Sequence, residues 1–124
     1  MIIGTGIDVV ELDRIIRSYT KFGKRFLKKI LTTQEQNNLP KHPAAYIASR
    51  FAAKEACVKA LGTGFSQGIF FDQIDIVSLP SGQPTIKLSG PALKRSKDLD
   101  VHNIHLSITH GRDIASAIVI LEGR

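Results

Sequence analysis

Asp8 and Glu55 are carboxylates carried by separate segments, and Lys59 follows Glu55 by four residues in Arg50-Phe-Ala-Ala-Lys54-Glu55-Ala-Cys-Val-Lys59-Ala-Leu-Gly62-Thr-Gly64. Residues four apart on a helix share a face, so Phe51, Glu55 and Lys59 point roughly the same way. Hard carboxylate oxygens suit Mg²⁺, which one or two carboxylates hold while waters and substrate phosphates complete the octahedron. A carboxylate one turn before an ammonium, beside a glycine-rich exit, therefore has the makings of a metal and phosphate site. The same residues admit an ordinary reading, in which Asp8 caps the following helix and Glu55 pairs with Lys59. Gly62-Thr-Gly64-Phe-Ser-Gln-Gly68 lacks the Gly-Lys-Ser/Thr ending of a P-loop, although backbone N–H groups in such a loop can bind phosphate. His102 and His105 are three apart in a predicted strand and face opposite ways, so they make no zinc pair. His110, at a strand end beside a glycine, is the histidine best placed for a site.

These residues need elements to hold them. Ile2–Val10 alternates as a strand, with Ile3, Thr5, Ile7 and Val9 on one face and Gly4, Gly6, Asp8 and Val10 on the other. Gly4 and Gly6 leave open space on the Asp8 face, where something can approach the backbone closely. Glu11–Ser18 reads as a helix with Leu12, Ile15 and Ile16 as its buried stripe. Phe22, Phe26, Leu27, Ile30 and Leu31 anchor the next segment to the core. Thr32 or Thr33 caps a short helix with Glu35 in its first turn. The long helix runs from about Ala44 to Leu61 and stops at Gly62, and its small residues Ala48, Ala52, Ala56 and Ala60 let another element pack close. Gln73–Leu79 and Thr85–Leu88 form a hairpin around Pro80-Ser-Gly82-Gln-Pro84. Ser89-Gly-Pro91 opens a helix that ends near Asp98. Ile104–Thr109 alternates as a strand, and Ile114–Leu121 is apolar enough to be buried on both faces.

The 124 residues fit one domain spanning the chain, long enough to bury a core without staples. No apolar run is long enough to cross a bilayer and no signal-peptide pattern appears. The single cysteine, Cys57, forms no internal disulfide and suits a reducing cytosol; within the alanine-rich helix it reads as a small buried hydrophobe. The net charge of +6 is concentrated: Arg14, Arg17, Lys21, Lys24, Arg25, Lys28 and Lys29 fall in one stretch without an acid among them. Such a run is self-repelling and favours an anionic partner, either nucleic acid, a phosphorylated ligand or an acidic protein. Exposed aromatic pairs of a single-strand RNA platform are absent from the strands.

Four blocks in order resemble the small 4′-phosphopantetheinyl transferases that act as holo-acyl-carrier-protein synthases. They are Gly6-Ile-Asp8-Val-Val-Glu11-Leu-Asp-Arg14-Ile, Arg25-Phe with Ile30-Leu-Thr32-Thr-Gln-Glu35, Arg50 through Gly64, and Leu106-Ser-Ile-Thr-His110 with Ala115-Ser-Ala117. Cys57, Val58 and the Pro43–Ile47 region depart from the pattern without touching a position that must carry charge.

The resemblance implies an α+β, 4′-phosphopantetheinyl transferase-like fold, with an antiparallel sheet packed with a long helix. Each single-domain protomer belongs to a homotrimer with active sites between neighbouring subunits. It implies transfer of the phosphopantetheine arm of coenzyme A to a serine of apo-acyl carrier protein. The reaction releases adenosine 3′,5′-bisphosphate and serves fatty acid biosynthesis in the cytoplasm. Asp8 and Glu55 match the family's Mg²⁺ ligands, and Lys59 matches a lysine near the phosphates. Arg50, Gly62, Thr63, Gly64, Pro84 and His110 match positions around coenzyme A. The base is Glu55 or a metal-bound water held by Glu55 or Glu35. Arg14, Arg17, Lys21 and Arg25 would receive the acidic carrier protein. The rival is a basic nucleic-acid-binding module using the same helix, which leaves Asp8 and Glu55 unexplained because carboxylates repel phosphates.

Overall fold

The computed structural model describes residues 1–124 throughout. In chain order the elements are β1 (Ile2–Glu11), α1 (Leu12–Phe22), α2 (Lys24–Ile30), α3 (Thr33–Asn37) and α4 (Ala44–Leu61). A 3₁₀ turn (Phe71–Gln73) then leads to β2 (Ile74–Ser78), β3 (Pro84–Leu88), α5 (Gly90–Asp98), β4 (Asn103–His110) and β5 (Ile114–Glu122). The mixed α and β content and the antiparallel pairing follow the expected class. The strands divide into two sheets, a three-stranded one in the order β1-β5-β4 and the β2-β3 hairpin.

Glycine explains how α4 meets β1. A Cβ on Gly6 would collide with the Ala56 carbonyl oxygen, and one on Gly4 with that of Ala60. The space expected beside Asp8 is therefore filled by the backbone of α4. Ala48, Ala52, Ala56 and Ala60 are all buried, as a close helix–strand contact requires. Val10, Ala115, Ala117, Val119 and Leu121 complete the buried face of this sheet.

Three packing expectations fail. Ile16 and Phe22 are exposed, because α1 rests on the core through Ile15 with Leu12 beside it. β5 is buried on one face only: Ile114 and Ile118 are open on the other. A central strand gains neighbours on both edges but needs a second layer to cover each face, and within this chain only one layer is supplied. Ile7 at 60% and Val9 at 57% exposure extend that bare apolar face across β1.

Local signals are obeyed closely. Thr32 caps α3 with a full capping box: its hydroxyl accepts from the Glu35 N–H, and the Glu35 carboxylate accepts from the Thr32 N–H at 2.8 Å. α4 ends at Gly62, whose left-handed backbone (φ 79°) is unfavourable for residues with a Cβ.

Candidate active site

β1 carries Asp8 along the flank of α4, and α4 presents Glu55 and Lys59 one turn apart toward it. Lys59 Nζ donates to Asp8 Oδ1 at 3.1 Å and to the Ile7 carbonyl at 2.9 Å. The ordinary reading of these residues is thus overturned on two counts. Lys59 bonds Asp8 instead of Glu55, since β1 brings a carboxylate across the helix. Asp8 caps nothing: the residue at the start of α1 is Glu11, without a side-chain cap.

Glu55 is half-buried and stands without a hydrogen-bonded partner. Burial raises its carboxyl above the usual range, and the Asp8 charge raises it further; Lys59 and Arg14 oppose this. Two carboxylates therefore share a space with less positive charge than they can use. Their hard oxygens fit a divalent cation such as Mg²⁺, which would relieve that repulsion. No third His, Cys, Asp or Glu joins them, so further ligands would come from water or substrate.

Arg14 belongs here as well as on the basic surface. Its charge reaches Glu55, and its guanidinium lies 5.4 Å from the centre of the Phe51 ring. Arg17, Lys21 and Arg25 are exposed on α1 and α2. Arg50 stacks on Tyr46 at 3.8 Å, and its Nε is buried without a partner.

The leading amides of the glycine turn after α4 are already used. The Gly62 N–H donates to Lys59 O, while those of Thr63 and Gly64 donate to Val58 O. These donors close the helix end, so phosphate capture by this loop's leading amides is excluded in this conformation. What the turn offers is room: nothing lies within 4 Å of a Cβ built on Gly64.

Two other expected positions lie apart from Asp8 within the chain. Asp8 pairs with Ala117 and Ala117 with Ile108, and His110 lies two residues further along β4. With strands ~4.8 Å apart and a rise of ~3.4 Å per residue, His110 Cα is roughly 12 Å from that of Asp8. Pro84 starts β3 in the other sheet. Glu35 is withdrawn altogether. It is fully buried and ion-paired to Lys54 at 2.6 Å, so it holds no water for the reaction. Cys57 is inert, its thiol pushed up to about 12 by burial.

Sequence reasoning passed over Lys54, which adjoins Glu55 in the central motif but turns into the core. Lysines are rarely buried, and only the Glu35 of the capping box signalled a waiting partner. It also missed Arg95, whose Nε donates to Leu61 O at 3.0 Å and so caps the end of α4.

Residues 4–119 match the family described as the 4′-phosphopantetheinyl transferase superfamily, and the chain belongs to it. It is 59% identical to the holo-[acyl-carrier-protein] synthase of Maridesulfovibrio salexigens, over 98% of this chain and 99% of that one. Among solved structures it resembles the holo-[acyl-carrier-protein] synthase of Neisseria meningitidis, with a TM-score of 0.91 and 40% identity, covering 98% of this chain and 99% of that one. It also resembles the Bacillus anthracis holo-(acyl-carrier-protein) synthase in complex with CoA (3′,5′-ADP), with a TM-score of 0.83 and 36% identity, covering 100% and 99%.

Proposed function

We propose that this chain transfers 4′-phosphopantetheine from coenzyme A to a serine hydroxyl of apo-acyl carrier protein. The products are holo-acyl carrier protein and adenosine 3′,5′-bisphosphate, and the reaction serves fatty acid biosynthesis in the cytoplasm. The observation that carries this is the meeting of Asp8 and Glu55 beside Lys59, in a chain whose relatives are holo-acyl-carrier-protein synthases.

In the transfer, serine Oγ bonds to the phosphorus bearing the pantetheine arm. The bond from that phosphorus to the bridging oxygen of the pyrophosphate breaks, and the electron pair leaves with adenosine 3′,5′-bisphosphate. The serine proton passes to Glu55 or to a water that Glu55 orders. Asp8 and Glu55 would hold Mg²⁺, which when bound supplies charge neutralisation and Lewis acidity at the phosphates. Lys59 would exchange its bond to Asp8 for one to the leaving phosphate. Such transfer depends mainly on positioning and preorganised charge, which side chains on a strand and a helix provide. Arg50, with a buried donor still free, would contact the nucleotide. Gly62, Thr63 and Gly64 would let it lie against the backbone, and Arg14, Arg17, Lys21 and Arg25 would dock the carrier.

The active unit we propose is a homotrimer with sites between subunits. Its support is the bare apolar face of Ile7, Val9 and Ile118, together with the distance of His110 from Asp8 across the sheet and the place of Pro84 in the other sheet. A neighbouring copy would supply those two residues.

Incubation with coenzyme A, Mg²⁺ and apo-acyl carrier protein should add the mass of one phosphopantetheine arm to the carrier, and chelation should stop it. A protein that modifies no carrier, and instead binds DNA or RNA with a steep salt dependence, would point to the nucleic-acid module. Sizing of the active species at one protomer would remove the trimer.

A further inference from the structure

Lys54 is fully buried, and all three of its N–H groups are used. Nζ donates to the Ile30 carbonyl at 2.7 Å, to Glu35 Oε1 at 2.6 Å and to the Phe71 carbonyl at 3.2 Å. The partner is equally occupied: Glu35 Oε1 also accepts from the Thr32 N–H at 2.8 Å, and Oε2 accepts from the Ile76 N–H at 2.7 Å. Lys54 has no donor to spare for a substrate, both Glu35 oxygens are engaged within the core, and neither group meets solvent. A catalytic role is therefore closed to both.

The carbonyls that Lys54 holds have a common location. Ile30 ends α2 and Phe71 opens the 3₁₀ turn, and both line an open groove of about 360 Å³ between α1 and α2. Phe22, Phe26 and Arg25 line it too. Phe71 is further fixed by stacking on Phe65 at 3.9 Å and on Phe51 at 5.5 Å. Phe22, Phe26, Ile30 and Phe71 make the groove apolar, and Arg25 and Lys29 add positive charge to it. Its charge complements an acidic helical protein.

We infer that Lys54 is a positioning residue: it holds Ile30 and Phe71 in place and so shapes the groove into which the carrier protein docks. This rests on the transferase function proposed above. A single ammonium ties the end of α2, the start of α3 and the turn before β2 to the helix that also bears Glu55. The docking surface and the site of chemistry are thereby set against each other by one group.

A buried ion pair adds little net stability over apolar residues of similar size, whereas removing one partner strands the other charge. That difference separates positioning from simple support. Lys54→Met alone should lower Tm. The Lys54→Met/Glu35→Met double variant should regain most of that loss, yet show a carrier KM raised about tenfold with the coenzyme A KM nearly unchanged. A double variant with wild-type carrier KM, or with both KM values raised equally, would overturn the inference. Because a variant can fail to fold, the unmodified protein provides a second test. Titration with carrier should shift the amide resonances of Ile30 and Phe71, while titration with coenzyme A should leave them in place; unmoved resonances with carrier would equally overturn it. Wild-type turnover measured in parallel distinguishes this outcome from failure of the transferase proposal, which would abolish that turnover too.

Discussion

Two charge clusters sit one residue apart on α4 and obey opposite rules. Lys54 faces inward to Glu35, where every N–H and every carboxylate oxygen is matched and solvent is excluded. Glu55 faces outward beside Asp8 and Lys59, where two carboxylates share one short lysine contact and burial is partial. The first is closed and complete, so it can only hold the fold in place. The second is open and short of positive charge, so it can accept a cation and phosphates. A rotation of one residue along the helix is enough to separate a closed ion pair from an open one.

The comparison breaks most severely at its closed side. Glu35→Ala strands the Lys54 ammonium in the core and should cost about 3–5 kcal/mol, a Tm drop of roughly 10–20 °C for a domain of this size. The pH dependence has a definite sign. Burial holds Lys54 below its ordinary 10.5, and Glu35 opposes that shift. Without Glu35 the folded lysine sheds its proton earlier than the unfolded one, so the unfolded state binds more protons across that window. The deficit of Glu35→Ala should therefore shrink as pH rises toward about 10, and thermal melts from pH 7 to 10 would check it. A deficit independent of pH would mean that Glu35 does not set the charge of Lys54 in the core.

The open side should fail in the opposite manner. Asp8→Ala or Glu55→Ala should lower kcat by about 100- to 1,000-fold, while stability stays within about 1 kcal/mol of wild type. Turnover with coenzyme A and Mg²⁺, measured alongside thermal melts, tests both halves. Full turnover of either variant would remove the metal assignment, and a large Tm loss would make the open cluster as structural as the closed one.

The smallest effect is expected at the edge of the open cluster. Arg14→Glu should raise the carrier KM roughly tenfold, with the coenzyme A KM little changed and the penalty dependent on salt. Arg14 also lies within reach of Glu55, so a fall in kcat at unchanged KM would assign it to the chemistry instead of to docking.

The contrast also marks what could be read along the chain. The limits of α4, the stop at Gly62, a threonine cap at Thr32 or Thr33 with Glu35 in the first turn, the β2-β3 hairpin and the start of α5 were all legible in the sequence. Each depends on backbone preferences and side-chain contacts within a few residues. Asp8, Glu55 and Lys59 were legible as a group through their types, their spacing and the resemblance of the four blocks. Their partners were not. Whether Lys59 bonds Glu55 or Asp8 depends on where β1 crosses α4, and that crossing is fixed by Gly4 and Gly6 against Ala60 and Ala56, fifty or more residues away in sequence. The burial of Lys54, the exposure of Ile118 and the consumption of the Gly62–Gly64 amides were likewise decided only when the chain closed on itself. A hydrophobic pattern says which residues prefer an interior, but only packing between distant segments decides which interior exists and which charges it must satisfy.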